Sequence, residues 1–375
     1  INFMKYSTSK NELQSALQKL SKAVPNRSTL PILSCVLIDV SESGVLLRAT
    51  DLEITITSTI ESSIETQGTA AVPLQPLLDI TSELPDNSRV EMEVGENNTV
   101  NIKTDFGSYD LMGKDSEEYP APPNTNEGVE TGMGSSLLNK IISTVSFAVS
   151  KDDLKPALTG VLFKLESENI TTVATDGHRL AKYVCKNETE KGFEGEVIVP
   201  RKFLNTISSY VGSAEDMSLI MNENVFTAKV GADTIHTRII DEKFPDYESV
   251  IPKDNDKELK IKRDDLLAAV KRVSIFSNKT TQQVAIKAEK SKILINTEDP
   301  EKASKAQESL TVEYEGEPIE IGYNASYLKD VLSHLSSKDI ILKLNTPISA
   351  SLFYPDKNST DETVSMLLMP IRLNE

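Results

Sequence analysis

Tryptophan is absent from the 375 residues, and cysteine, histidine and aromatic side chains are scarce. Two cysteines, Cys35 and Cys185, are too few and too isolated for a disulfide framework or a zinc site. Both lie in apolar runs and read as inert core. The three histidines, His178, His236 and His334, offer no paired ligands, and no nucleophile motif accompanies them. No phosphate-binding loop and no dinucleotide fingerprint is present. The expectation is therefore no catalytic residue, no cofactor and no metal. No apolar run approaches the roughly 18 residues of a membrane-spanning helix. No secretory leader is evident, and Ile1-Asn2-Phe3 ahead of Met4 reads as an expression scar. The expected location is cytoplasmic. Positive charge is also short: 40 Lys and Arg stand against 57 Asp and Glu, a net of −17.

What is present is repetition. Leu13, Ala16, Leu17, Leu20, Ala23 and Val24 recur 125 positions later as Leu138, Ile141, Ile142, Val145, Ala148 and Val149. A third copy between Lys260 and Phe276 carries Leu266, Ala269, Val270, Val273 and Phe276, and fails only at Ser277. Intervals of three and four place each set on one helical face. Strand-like runs follow each helix, at 32–40 and 45–50, 158–165 and 170–175, and 283–288 and 293–297. Asp51, Asp176 and Glu298-Asp299 come next.

Each copy then contains a second half like its first. A strand ends at Val72-Pro73, Val199-Pro200 or Ile321-Gly322. A helix carries Leu77, Ile80 and Leu84, or Leu204, Ile207 and Val211, or Leu328, Val331 and Leu335. Strand pairs close the unit at 89–94 and 99–104, 217–221 and 225–230, and 339–344 and 348–353. The fold class is α+β, with three repeated domains of two strand–helix–strand units each. The expected domains are 4–127, 128–253 and 254–375. Residues 116–136 and 244–258, rich in Pro and polar side chains, read as linkers.

The net charge hides its distribution. Lys5, Lys10, Lys19, Lys22 and Arg27 face only Glu12 within 5–27. Lys260, Lys262, Arg263, Lys271 and Arg272 outnumber Asp264 and Asp265. Arg201 and Lys202 open a helix without acids, whereas 83–130 is strongly acidic. The helix with Asp79 and Glu83 breaks the pattern. Basic helices and acidic strands suggest one binding surface for a polyanion.

Several ordered motifs carry a resemblance. They are 27–33 (RSTLPIL), 170–180 (ITTVATDGHRL), 197–204 (VIVPRKFL), 244–252 (FPDYESVIP) and Met369-Pro370-Ile371-Arg372-Leu373. With the threefold repeat, the chain from Met4 to Leu373 resembles the bacterial sliding clamps, the β subunit of DNA polymerase III. The resemblance implies a non-catalytic DNA-replication processivity factor. Two chains would join head to tail as a homodimer, a six-domain ring with helices inside and sheets outside. The ring would encircle double-stranded DNA and tether the polymerase III catalytic subunit, the clamp loader and other clamp-binding-motif proteins.

By that resemblance Arg27, Arg201 and Lys202 contact DNA; charge and helix placement add Lys10, Lys19, Lys22, Lys271 and Arg272. The dimer contact is expected at Ile275 and Phe276 on one side and at Leu84 and Leu111 on the other. Phe276 also sits on the helical stripe, so core packing competes for it. A peptide pocket is implied at Leu158, Thr175, Gly177, His178, Arg179, Leu180, Pro245, Val250, Asn324, Tyr327, Ile348, Met369, Pro370, Ile371 and Arg372, where Arg179 and Arg372 could meet acidic or carbonyl groups. His178, which composition alone reads as a structural turn residue, becomes pocket wall. The chain departs from family patterns at Asp152, Pro156 and Ala157 in the loop 150–157, and at Thr281 and Ala350 near the pocket. Runs 175–180 and 369–373 show no counterpart in the first repeat, which predicts one docking site per chain. A repeat-built hydrolase or transferase is disfavoured by the lack of a nucleophile–base pair. A purely protein-binding acidic scaffold is disfavoured by the basic helices.

Overall fold

A computed structural model of the chain describes residues 3–25, 27–123, 128–187, 192–211, 217–357, 359 and 361–373, with Val211 described by its backbone alone. Ile1 and Asn2, part of the expected linker 116–136, and the first domain's expected end at residue 127 lie outside them. The first repeat runs β1 (Met4–Ser9), α1 (Lys10–Leu20), β2 (Cys35–Ser41), β3 (Gly44–Thr50), β4 (Ile54–Ile60), β5 (Ser63–Thr66), β6 (Gly68–Pro73), α2 (Leu74–Glu83), β7 (Arg89–Val94), β8 (Thr99–Thr104) and β9 (Ser108–Met112). The second has β10 (Val129–Glu130), α3 (Ser135–Val145), β11 (Gly160–Leu165), β12 (Asn169–Thr175), β13 (Arg179–Lys186), β14 (Gly195–Pro200), α4 (Arg201–Val211), β15 (Met217–Met221), β16 (Val225–Val230) and β17 (Asp233–Arg238). The third has β18 (Lys257–Lys262), α5 (Arg263–Val273), β19 (Gln283–Glu289), β20 (Lys292–Asp299), β21 (Ser304–Thr311), β22 (Glu313–Tyr314), β23 (Ile319–Asn324), α6 (Ala325–His334), β24 (Asp339–Leu344), β25 (Ser351–Pro355) and β26 (Glu362–Leu368).

Local chemistry explains the boundaries. Ser9 caps α1 by accepting from the Glu12 amide at 3.2 Å, the capping-box spacing. Asn324 caps α6 by accepting from the Ser326 and Tyr327 amides. α1, α3 and α5 each pass into a 3₁₀ turn that begins with serine: Ser21, Ser146 and Ser274. Each hydroxyl donates back to a carbonyl of its own helix, at 2.7, 2.6 and 3.1 Å. That competition favours the tighter turn.

The stripe residues whose side chains are described are buried as their periodicity demands, except that Val24 and Ile80 are half-buried and Phe276 is exposed. Four element starts shift by two residues or more. The expected third helix starts at Arg263, because the alternating Lys257–Lys262 run pairs with β24. Pro31–Ser34 and Pro156–Leu158 are 3₁₀ turns ahead of β2 and β11, since proline at the first position presets a helical φ. The last expected strand begins at Ser351 rather than 348. The expected linkers are pinned. Tyr119 is buried and donates to Cys35 O and Arg48 O, and Phe244 is buried within a cluster with Leu162, Leu180 and Leu352.

The chain divides into two compact units: Ile1–Ser135 with Lys202–Ile239, and Ser136–Arg201 with Ile240–Glu375. In the first, a five-stranded sheet runs β5-β1-β7-β8-β9 and an eight-stranded sheet runs β10-β15-β16-β17-β4-β3-β2-β6. In the second, a nine-stranded sheet runs β14-β11-β12-β13-β26-β25-β24-β18-β22 and a four-stranded sheet runs β21-β20-β19-β23. α1 packs against α2, and α5 against α6.

Two features recur with the repeats. Consecutive repeats join by antiparallel pairing of one kind of strand: β4 with β17, then β13 with β26. Each pair joins the last strand of one repeat's first half to the last strand of the next repeat's second half. Each repeat also clips the segment after its final strand by one backbone bridge: Ala71 to Lys114, Ile198 to Ile240 and Gly322 to Ile371.

His236 lies in β17 opposite Thr55, with Nδ1 2.9 Å from Thr227 Oγ1. Burial, with Lys229 nearby, lowers its pKa from 6.5 to about 4. The unfolded chain therefore binds this proton more readily, and stability drains as pH falls through that window. The loss attributable to His236 is expected to reach about 3 kcal/mol. Urea unfolding at a series of pH values should show a smaller acid loss in His236→Gln than in the unaltered chain.

Candidate docking cleft and basic helix faces

The turn after β12 organises one site. Thr175 Oγ1 donates to Arg179 O at 2.7 Å and accepts from the Gly177 amide at 3.1 Å. Asp176 Oδ1 accepts from the His178 and Arg179 amides at 2.9 and 3.0 Å. Gly177 takes φ +88°, a region that favours glycine. The turn leaves His178 exposed and stacked on Tyr327, ring centroids 5.6 Å apart.

Below it, Leu180 is buried with Leu162, Val173, Leu352 and Leu367, with Leu158 packed at the margin. Above this apolar floor stand exposed side chains: Val250, Ile348 (68% exposed), Met369 and Pro245. Pro370 and Ile371 are half-buried and Arg372 is exposed. The Met369 amide donates to His178 O and the Ile371 amide to Gly322 O, both at 2.8 Å. Ala350 is part of the floor, and Thr281 is exposed. A floor of branched aliphatics with a flexible methionine at the rim suits short apolar anchors.

Arg179 corrects one expectation. It is 8% exposed, and its guanidinium is committed inward. Nη1 lies 2.5 Å from Asp330 Oδ2, Nε 3.2 Å from Asp176 Oδ2, and Nη2 donates to Phe147 O at 3.0 Å. The group also sits over the Phe147 and Tyr327 rings. It fastens the turn to α6 rather than offering a free cation to a ligand. Asn324 is likewise occupied as the cap of α6. Beside the turn, a polar recess of about 520 Å³ includes Lys151, Asp152, Lys155 and His178. At the tip of this loop Leu154 is 90% exposed.

The turn has a counterpart that the sequence comparison missed. Thr50 Oγ1 donates to Ile54 O and accepts from the Leu52 amide, and Asp51 Oδ1 accepts from the Glu53 and Ile54 amides. Leu52 holds φ +77° where the second repeat has Gly177. The first repeat therefore repeats the backbone but presents Leu52 and Glu53 in place of Gly177 and His178.

The basic residues differ in availability. Lys10 is buried and pairs with Asp86 at 2.8 Å, so it does not stand on an open face. Its amphipathic stem completes the α1 stripe, which charge counting cannot see. Lys19 pairs with buried Asp233 at 2.6 Å, Lys202 with Asp51, and Arg272 with Glu308 through two bonds. Lys22 donates to Ser209 and lies over Tyr210. Arg27 and Lys271 are exposed, and Arg201 is half-buried. α3 and α4 contain no acidic residue.

Two apolar patches stand beside sheet edges. Ile275 is 76% exposed with Phe276 next to it, and Ser304 of edge strand β21 donates to Phe276 O. Leu84 is buried at the base of a recess of about 580 Å³ with Ile80, Phe106 and Tyr109. Leu111 is half-buried on edge strand β9. Phe106 and Tyr109 were missed; their signal is an aromatic pair, Phe106 exposed and Tyr109 half-buried, flanking an unpaired edge.

Residues 4–123, 133–246 and 248–372 match, in turn, the N-terminal, central and C-terminal domains of the DNA polymerase III beta subunit family. A beta sliding clamp from Proteus mirabilis is 31% identical over 374 residues, covering 99% of this chain and 100% of the relative. One from Pseudomonas putida is 30% identical over 372 residues, with the same coverage. The crystal structure of the Pseudomonas aeruginosa DNA polymerase III subunit beta matches with a TM-score of 0.92 at 28% identity, covering 99% of this chain and 100% of that one. A Bartonella birtlesii sliding clamp bound to griselimycin matches at 0.91 and 29%, with the same coverage.

Removing Arg179 would leave Asp176 and Asp330 without their cation. Arg179→Ala is expected to cost about 3 kcal/mol in urea unfolding. Lys271→Ala, on an exposed face, should change stability by less than about 0.5 kcal/mol.

Proposed function

The chain belongs to the bacterial sliding-clamp family, the DNA polymerase III β subunits, and from that membership we propose that two copies close head to tail into a ring around duplex DNA. One observation carries the ring. The two junctions between repeats pair β4 with β17 and β13 with β26. The third member of that series would pair β21 with β9. Both are edge strands here, with unspent backbone donors and acceptors. A β21-to-β9 contact between copies repeats the same antiparallel junction, and such a heterologous contact generates a ring when its rotation closes. Ile275 and Phe276 beside β21, and Tyr109, Leu111 and the Leu84 recess beside β9, supply apolar surface for it.

Six similar domains would then line the hole with their helices. Arg27, Arg201, Lys202, Lys19, Lys22, Lys271 and Arg272 would meet phosphates without reading sequence. Acidic sheets outside would repel other duplexes. Enclosure rather than grip holds the DNA, and no chemistry is needed of the chain. The cleft over Leu180 would take short peptides from the polymerase catalytic subunit, the clamp loader and other partners, leaving the ring as a moving tether. The proposed domains are 4–127, 128–253 and 254–375, in the cytoplasm.

Solution mass should be near twice the 41.3 kDa of one chain. Protein loaded by a clamp loader onto nicked circular DNA should stay bound, then leave once the circle is cut. Equal retention on circle and linear forms would falsify enclosure. Deleting Met369 to Glu375 should abolish binding of a labelled peptide from the polymerase docking segment while the dimer mass is kept. Unchanged peptide affinity would move the docking site elsewhere.

A further inference from the structure

We propose that Gly322 is a positioning residue that seats the segment Met369–Leu373 against the docking cleft and so sets peptide affinity; this rests on the docking reading above. Gly322 lies in β23, paired with Ala285 on one side and bridged to Ile371 on the other. It is not among the glycines with positive φ. Its requirement is therefore space rather than backbone conformation. A Cβ there would lie 2.6 Å from Ile371 O, 2.7 Å from Leu373 Cδ2 and 3.1 Å from Leu373 Cγ. The leucine could rotate aside; the backbone oxygen could yield only if the whole segment moved.

The other two repeats isolate what glycine adds. Their clips use the same bond, Lys114 N–H to Ala71 O at 2.8 Å and Ile240 N–H to Ile198 O at 3.0 Å. Those strands carry Ala and Ile at the equivalent position. The bridge itself therefore does not need glycine. In the third copy the segment occupies the space a side chain on the strand would need, and it carries Met369 to the cleft rim, whereas the second copy's segment borders the cleft floor through Ile240 and Phe244. Met369 is held between two anchors, its own amide on His178 O and the Ile371 amide on Gly322 O. Its side chain, 41% exposed, stands at the cleft rim. Lifting the Ile371 anchor releases that rim while leaving the buried floor at Leu180 intact.

The test uses full-length Gly322→Ala and Leu373→Ala. Hydrogen exchange read by mass spectrometry follows the Met369–Leu373 fragment, and fluorescence anisotropy follows the labelled polymerase-segment peptide. Gly322→Ala is expected to speed exchange of the Ile371 amide and to weaken peptide binding, each by about tenfold or more. Leu373→Ala, which leaves β23 untouched, should shift both in the same direction by less. Protection of the β19 amides that pair with β23 should hold in Leu373→Ala, separating seating of the segment from damage to the sheet. Unchanged exchange at Ile371 in both variants overturns the proposal. So does faster exchange with unchanged peptide affinity. If the unaltered chain fails to bind the peptide, the docking reading falls instead, and the exchange arm still judges the clip.

Discussion

Backbone hydrogen bonding at strand edges is the constraint from which the rest follows. A sheet edge exposes a row of donors and acceptors that must be paired, covered or blunted. Here one recurring contact between the closing strands of two half-repeats pairs β4 with β17 and β13 with β26, and leaves β21 and β9 as edges. The helices then need only cover one face of each sheet, which is why their buried stripes are so alike. The single-residue clips hold the connecting segments down once the sheets have formed.

The same economy explains the candidate docking cleft. Its polar rim is a Thr-Asp turn that the protein builds twice with matching bonds. What differs is the cargo of the turn: Gly177 and His178 in one copy, Leu52 and Glu53 in the other. Arg179 then ties the second copy to α6 through Asp330. The cleft is a common scaffold with a few side chains changed.

The helices and the order of the half-repeats were legible because amphipathic periodicity survives divergence. Leu138, Ile141, Ile142 and Val145 announce themselves, and they are buried as expected. The closing strands were not legible. β21 reads SKAQESLT, alternating without a large apolar side chain until Leu310, so nothing in its pattern marks a strand. The clips depend on one backbone bridge between distant residues, which leaves no side-chain signature. Charge counting found the basic helices but could not tell Lys10, buried beside Asp86, from Lys271 on an open face. The cleft residues were reached through motifs rather than periodicity, and that route missed the inward commitment of Arg179 and the aromatic pair Phe106 and Tyr109.

The carboxylate partners of the helix-face cations bear on how a ring would travel. Lys19, Lys202 and Arg272 each already hold an acid. Meeting a phosphate therefore means trading one anion for another, not filling a vacancy. The net gain at any one register would be small, so the potential along an enclosed duplex would be shallow and adjacent positions would differ little. In mechanical terms the bore of such a ring would be lubricated in part by its own counter-ions, since Lys19, Lys202 and Arg272 would exchange one anion for another.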